Sequence, residues 1–253
     1  MTTNQGDPLD RLRSTVDELL DPPGCEWNRS QTHETLVTYL VEETFELVEA
    51  IEDGTAVDLR EELGDVLYQV VLHAAIAERS GEGFGLDQVI ADADDKTRRR
   101  HPHVFGSDHA DGVDDIVRLW SEAKAREKAS RKSAFDGVPL GLPALARAQK
   151  IESRRVSAKP EEQSGGCTPP ALDEATTEAE WGLALLAEVD RAGTRGWDAE
   201  RALRGAVRAR EAALREAETA ARETETAARE TETAARETET AARETGTPQH
   251  EQK

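Results

Sequence analysis

The chain has 253 residues, with 37% hydrophobic, 4% aromatic and 33% charged, which allows one large or two small domains and leaves part of the chain outside any core. Its formal net charge of −20 argues against general binding to nucleic acid or to an anionic membrane, so a polyanionic ligand would need a metal and a local basic cluster. Two cysteines, Cys25 and Cys167, exclude a disulfide framework or a zinc site, and with no signal-peptide core in MTTNQGDPLDRLRS and no apolar run long enough to span a bilayer, a soluble cytoplasmic protein is expected.

In chain order, Asp7 and Pro8 open a helix as an N-cap followed by proline, and Leu9, Leu12, Val16 and Leu19 give it an apolar face. Asp21-Pro22-Pro23-Gly24 stops it. Cys25-Glu26-Trp27-Asn28 then reads as a loop that leads through Gln31-Thr32-His33 into the next helix. Trp27 has two uses open to it there, stacking on a base or plugging an apolar gap.

Residues 36–77 carry the candidate chemistry. Leu36, Leu40, Leu47 and Ile51 recur at amphipathic helical spacing, and Glu43 falls inside their stripe. At about 100° per residue, Glu46 lies at the stripe's edge, roughly 60° from Glu43, whereas Glu49 and Glu52 point away. After a turn centred on Asp53 and Gly54, a second helix places Glu62 and Asp65 at the head of a stripe formed by Leu63, Val66, Val70, Ala74 and Ala77. No charged residue occurs from Val66 through Ala77, so this helix is expected to be nearly buried.

Glutamate-rich helices are usually solvated faces. A carboxylate inside a leucine stripe, matched by two more on the next helix, does not fit that pattern. Ionised carboxylates taken out of water together need protons or a cation to neutralise them, and a cation is expected. Hard oxygen donors without Cys or His favour Mg²⁺, with Mn²⁺ as a substitute, over zinc. His73, three turns beyond Glu62, reads as a core or interface histidine rather than a ligand.

Gly81 to Gly85 makes a turn, and the helix that begins at Leu86 ends in Lys96, Arg98, Arg99, Arg100, His101, Pro102 and His103. Lys96, Arg99 and Arg100 share one side and form a candidate phosphate clamp. The plainer alternative is a surface helix end whose cations complement the helix dipole.

The motifs GCEWNRSQTHETL, YLVEETFELVEAIEDG, LREELGDVLYQVVLHAAIAE and DKTRRRHPHVFG, with RLWSEAKAREKA and PLGLPALARAQKI beyond them, resemble in order and spacing the MazG family of nucleoside triphosphate pyrophosphohydrolases. The resemblance implies an all-α fold, a helical bundle completed by dimerisation, with Mg²⁺ held between an E-E-x-x-E and an E-x-x-D helix. It also implies cleavage of a nucleoside triphosphate to monophosphate and pyrophosphate. Carried over residue by residue, it makes Glu43, Glu46, Glu62 and Asp65 metal ligands and Glu42 a further ligand or the base that positions the attacking water, so that Glu42 and Glu43 are the catalytic pair. Lys96, Arg99 and Arg100 become phosphate contacts, and Trp27 a neighbour of the nucleotide. The family commonly has W-D where this chain has Trp27-Asn28, which removes a carboxylate from near the substrate.

Long family members carry a second copy of the carboxylate domain. Here Glu180-Trp181-Gly182-Leu183 resembles a remnant of Glu62-Leu63-Gly64-Asp65 with the acid replaced, and no E-E-x-x-E helix precedes it, so any chemistry belongs to the first copy. The expected organisation is a catalytic helical domain over 1–135, a helical extension over 136–156, a linker over 157–175, the degenerate remnant over 176–215 and a T-A-A-R-E-T-E repeat tail over 216–253. The repeat offers Ala pairs and no large apolar residue for a coiled-coil seam, so a solvated extension, partly helical or disordered, is expected.

The function expected from these features is Mg²⁺-dependent hydrolysis of nucleoside triphosphates, canonical or damaged, ribo or deoxy, by a homodimer in a nucleotide-pool house-cleaning role. A nucleoside triphosphate is the partner expected, with neither nucleic acid nor membrane. The alternative is a catalytically idle helical module that regulates another protein.

Overall fold

A computed structural model describes residues 6–128, 131–158 and 170–245, and no strand occurs among them. The fold is all-α, as expected. The chain divides into two compact units, Met1–Ala129 and Ser130–Lys253. No helix among the described residues is long and apolar enough to cross a membrane.

The first unit contains α1 (Pro8–Leu20), α2 (Glu26–Arg29), α3 (Val37–Glu52), α4 (Ala56–Ser80), α5 (Leu86–Arg100), α6 (Pro102–Phe105) and α7 (Val113–Glu127). Asp7 caps α1, its carboxylate accepting from the Leu9 N–H at 2.9 Å. Val16 and Leu20 of α1 are buried against Val71, Leu72, Ala75 and Ile76 of α4, with Leu36 and Leu86 closing the cluster. Leu20, about 100° round the helix from the expected Leu19, is buried, and Leu19 is half-buried. Arg79 of α4 ties the two helices at their rim, donating to Asp17 at 2.9 Å and to Asp21 at 3.0 Å. The segment read as a loop at Cys25–Asn28 forms the short helix α2 instead. Asn28 is buried there, and its side-chain oxygen accepts a hydrogen bond from the Tyr68 hydroxyl at 3.2 Å.

Only one half of α4 matches the expectation of a nearly buried helix. From Gln69 to Ala77 most side chains are buried, whereas Leu63 and Leu67 are about half exposed. Ile51 of α3, expected inside the stripe, is 63% exposed, and Ala50 is buried in its stead. The reason is coverage: among the described residues α3 packs along α4, with the Trp27 ring of α2 against Tyr39 besides, and α1 and α5 also pack on α4, so most of the outward face of α3 and of the first half of α4 has no neighbour.

The second unit is built from α8 (Ala144–Ala158), α9 (Glu178–Thr194) and α10 (Ala199–Thr245). Gln149 of α8 pins the turn between α9 and α10, donating to the Trp197 carbonyl at 2.7 Å and accepting from the Ala199 N–H at 2.8 Å. Of the expected linker, residues 159–169 lie outside the described residues, and so does Cys167. The tail, expected to be partly helical or disordered, is helical as far as it is described, with α10 running through the repeat to Thr245; residues 246–253 of the expected tail lie outside the described residues. Intrahelical pairs such as Glu218 with Arg222 and Glu225 with Arg229 support it, and each repeat threonine from Thr219 to Thr233 returns its hydroxyl to the carbonyl four residues back.

Because every described side chain from Glu218 onward is exposed, a chain ending at Ala217 should lose helical circular dichroism yet keep its thermal midpoint within about 2 °C of the full chain. A larger drop would mean that the tail packs on something this account omits.

Candidate functional site

The site rests on the turn that folds α4 back along α3. Gly54 is required in it, because a Cβ there would lie 2.7 Å from the Ala50 carbonyl oxygen. Thr55 then starts α4 with a capping box: its hydroxyl accepts from the Val57 and Asp58 N–H groups, and the Asp58 carboxylate accepts from the Thr55 N–H at 2.7 Å. With both ends of the turn fixed, Glu43 of α3 meets Glu62 and Asp65 of α4, and one carboxylate oxygen from each lies within 4.8 Å of the others. Glu43 and Glu62 are half-buried and Asp65 is exposed. Glu46 is exposed beside Glu43 and outside that trio. Next to it opens an acidic cavity of about 340 Å³ lined by Glu46, Glu49, Asp53, Asp58 and Glu62. Glu49, expected to point away, lines this cavity, because the tight turn brings the start of α4 alongside the end of α3.

Crowding of like charges shapes the electrostatics. Burial first, and then the charges of Asp65, Glu46 and Glu62, hold the Glu43 carboxyl above the ordinary carboxylate range. Glu62 is raised in the same way, by loss of water and then by Glu46 and Asp65. Its Oε2 is buried, and no donor among the described residues reaches it. No ion pair among the described residues neutralises the trio. Converging hard oxygens, one of them orphaned, with raised affinity for positive charge, suit a divalent oxygen-bound cation such as Mg²⁺ or Mn²⁺.

The other expected site residues fall into two groups. Near the trio, Glu42 is exposed on α3, and the half-exposed Trp27 packs edge-on against Tyr39 of the same helix, with ring centroids 5.7 Å apart. Lys96, Arg99 and Arg100 sit on α5, which packs on α4, α6 and α7 but not on α3. Arg100 is held by α7: its side chain is 19% exposed, and it donates to Glu127 through Nε at 2.9 Å and Nη2 at 2.5 Å, beside the Trp120 ring. Arg99 lies 3.5 Å from Glu127 with 59% of its side chain exposed, and Lys96 is exposed.

His73 stays apart from the trio. Its Nδ1 is 2.7 Å from Nδ1 of His33, and the two rings are stacked. In the second unit Glu180 serves as a helix cap, its Oε2 accepting from the N–H groups of Thr176 at 2.8 Å and Thr177 at 3.2 Å.

Raised carboxyls bind protons on folding, so their contribution to stability is complete below the ordinary carboxylate range and is lost as pH rises through the raised values. Without divalent ions, Glu62→Gln should therefore gain thermal stability over the unchanged chain as pH goes from about 4 to about 7. Melting curves at the two pH values check this, and a gain that shrinks with rising pH would mean the carboxylates are not crowded.

Comparison with known proteins adds the following. Residues 31–105 match the family model described as the MazG nucleotide pyrophosphohydrolase domain. A nucleoside triphosphate pyrophosphohydrolase from Escherichia coli K12 is 37% identical over 217 residues, covering 78% of this chain and 82% of the relative. The nucleoside triphosphate pyrophosphohydrolase/pyrophosphatase MazG of Thermotoga maritima is 39% identical over 79% of this chain and 81% of its own. A Streptomyces cacaoi protein named only as an uncharacterized 26.1 kDa protein in the blaB 3' region is 45% identical, over 72% of each chain.

Proposed function

The chain belongs to the MazG family, and on that premise we propose that its first unit hydrolyses nucleoside triphosphates to nucleoside monophosphate and pyrophosphate, with Mg²⁺ as cofactor and Mn²⁺ able to replace it. The observation that carries this proposal is the trio of Glu43, Glu62 and Asp65 with its orphaned Glu62 oxygen.

Glu43, Glu62 and Asp65 would hold the cation, with Glu46 within reach as a further ligand. Once bound, the cation supplies charge neutralisation for the triphosphate and a lowered pKa for a bound water. Glu42, exposed and one residue from Glu43, accepts the proton of the water that attacks the α-phosphorus. Lys96 and Arg99, whose charges face solvent, neutralise the departing pyrophosphate, while Arg100 is held by Glu127 and orients that end of α5. Trp27, steadied by Tyr39, offers an aromatic face to the base.

The working form is a homodimer. Val37, Val41, Phe45 and Ile51 on α3 and Leu63 and Leu67 on α4 are all exposed in the single chain, on helices whose outer faces have for the most part no neighbour. A second copy covers such a surface most simply by a two-fold interface. Its place is the cytoplasm and its role the clearing of canonical or damaged nucleotides from the pool.

Pyrophosphate release measured over a panel of canonical and damaged nucleotides, with and without Mg²⁺, tests the activity. Glu62→Gln should lower turnover by more than about 100-fold, beyond the loss of an outer-shell partner, in a protein that remains folded. A chain ending at Ala158 should keep its turnover, since no proposed ligand lies beyond it. Metal-independent release, or full turnover in the Gln variant, would overturn the proposal. Light scattering should give the mass of two chains at micromolar concentration, and a monomer would overturn the assembly.

A further inference from the structure

One buried polar side chain next to the trio has no part in the reaction described above. Gln69 is 4% exposed, and no donor among the described residues reaches its Oε1. At about 100° per residue, Glu62, Asp65, Gln69 and His73 share an arc of about 80° on α4. Both ends of that arc meet the α3 side. Glu62 and Asp65 meet Glu43, and His73 meets His33 just ahead of α3. Gln69, between them, therefore faces α3 as well, one helical turn from Asp65.

A buried acceptor without a donor is destabilising, and an apolar side chain of the same length would fill the position better. Resting on the metal-dependent function above, we propose that Gln69 is a positioning residue for the carboxylate centre. Its side-chain carbonyl accepts a hydrogen bond from a water held against Asp65 when a divalent cation occupies the trio. Small hard cations keep several of their waters, and partners that orient such waters and ligands strengthen metal binding. Gln69 would thus hold a neutral acceptor ready at the inner edge of an acidic site, where another carboxylate would add to the repulsion that already raises Glu43 and Glu62.

The rival partner is His73, whose Nε2 is also buried without a hydrogen bond, one turn in the other direction. A water shared by Gln69 and His73 would serve the core and leave metal binding untouched.

The test uses the full chain with Gln69→Met, which keeps length and volume, Gln69→Leu as a second apolar replacement, and Gln69→Glu, which keeps the acceptor. Mn²⁺ binding without nucleotide is followed by paramagnetic resonance, and thermal midpoints are taken without metal. Met or Leu should leave the metal-free midpoint unchanged or raised and weaken Mn²⁺ binding by about ten-fold, whereas Glu should bind at least as tightly as the unchanged chain. Mn²⁺ affinity in the folded Met or Leu variant within about two-fold of the unchanged chain would assign the carbonyl to the core and overturn the proposal. An unchanged chain that binds no Mn²⁺ would overturn the metal-dependent function itself, and that result is distinct because it appears before any substitution is made.

Discussion

The first unit depends on the closeness of α3 and α4 at the end where their carboxylates face one another. Like charges meet there, and nothing among the described residues offsets them, so the pairing must be enforced from elsewhere. Enforcement comes from the far half of α4, where Val71, Leu72, Ala75 and Ile76 bury against Val16 and Leu20 of α1, and from the turn at Gly54, which leaves no room for a side chain. Stability is thus concentrated in one half of the long helix and the electrostatic strain in the other. A 25-residue α4 lets a single rigid element serve both.

Net charge gives that arrangement its purpose. A chain at −20 repels a nucleotide at long range, and the crowded carboxylates add to the repulsion locally. Under the proposed function, a bound cation would offset both before a triphosphate could settle there. The basic end of α5 helps only in part, because Glu127 takes the guanidinium of Arg100 and shares that of Arg99. This engagement fixes α5 against α7 and leaves Lys96 and one face of Arg99 in water. A phosphate would meet two solvated cations on a braced helix rather than a preformed three-residue clamp.

The carboxylates were legible in the sequence because a glutamate inside a leucine stripe contradicts its own helix. Glu43 did so, and Glu62 and Asp65 repeated the anomaly after a recognisable turn. Periodicity says which residues share a face but not whether anything covers that face, so Ile51, Leu63 and Val70, placed in apolar stripes, proved exposed. Contacts between distant segments left no local trace. Glu127 binding Arg100, His33 stacked on His73 and the Tyr68 hydroxyl reaching Asn28 each join elements that only the fold brings together. The last of these involves Asn28, where this chain lacks a carboxylate. The buried side chain there meets the half-buried Tyr68 hydroxyl, where an amide oxygen accepts a hydrogen bond without bringing a charge into the core.

The second unit sets a glutamate in the opposite environment. Glu180, in a stretch that resembles the one around Glu62, has a carboxylate that accepts backbone N–H groups at the head of α9, which pulls it below the ordinary carboxylate range, the reverse of what happens at Glu62. The difference is one of position along the helix. Glu180 lies in the first turn, where unpaired N–H groups and the helix dipole favour a negative charge, while Glu62 lies two turns in, where every N–H is already taken by the helix. A carboxylate in the first turn is satisfied by its own backbone. Only one set further along, and faced by acids from a neighbouring helix, is left with an oxygen that no donor among the described residues reaches.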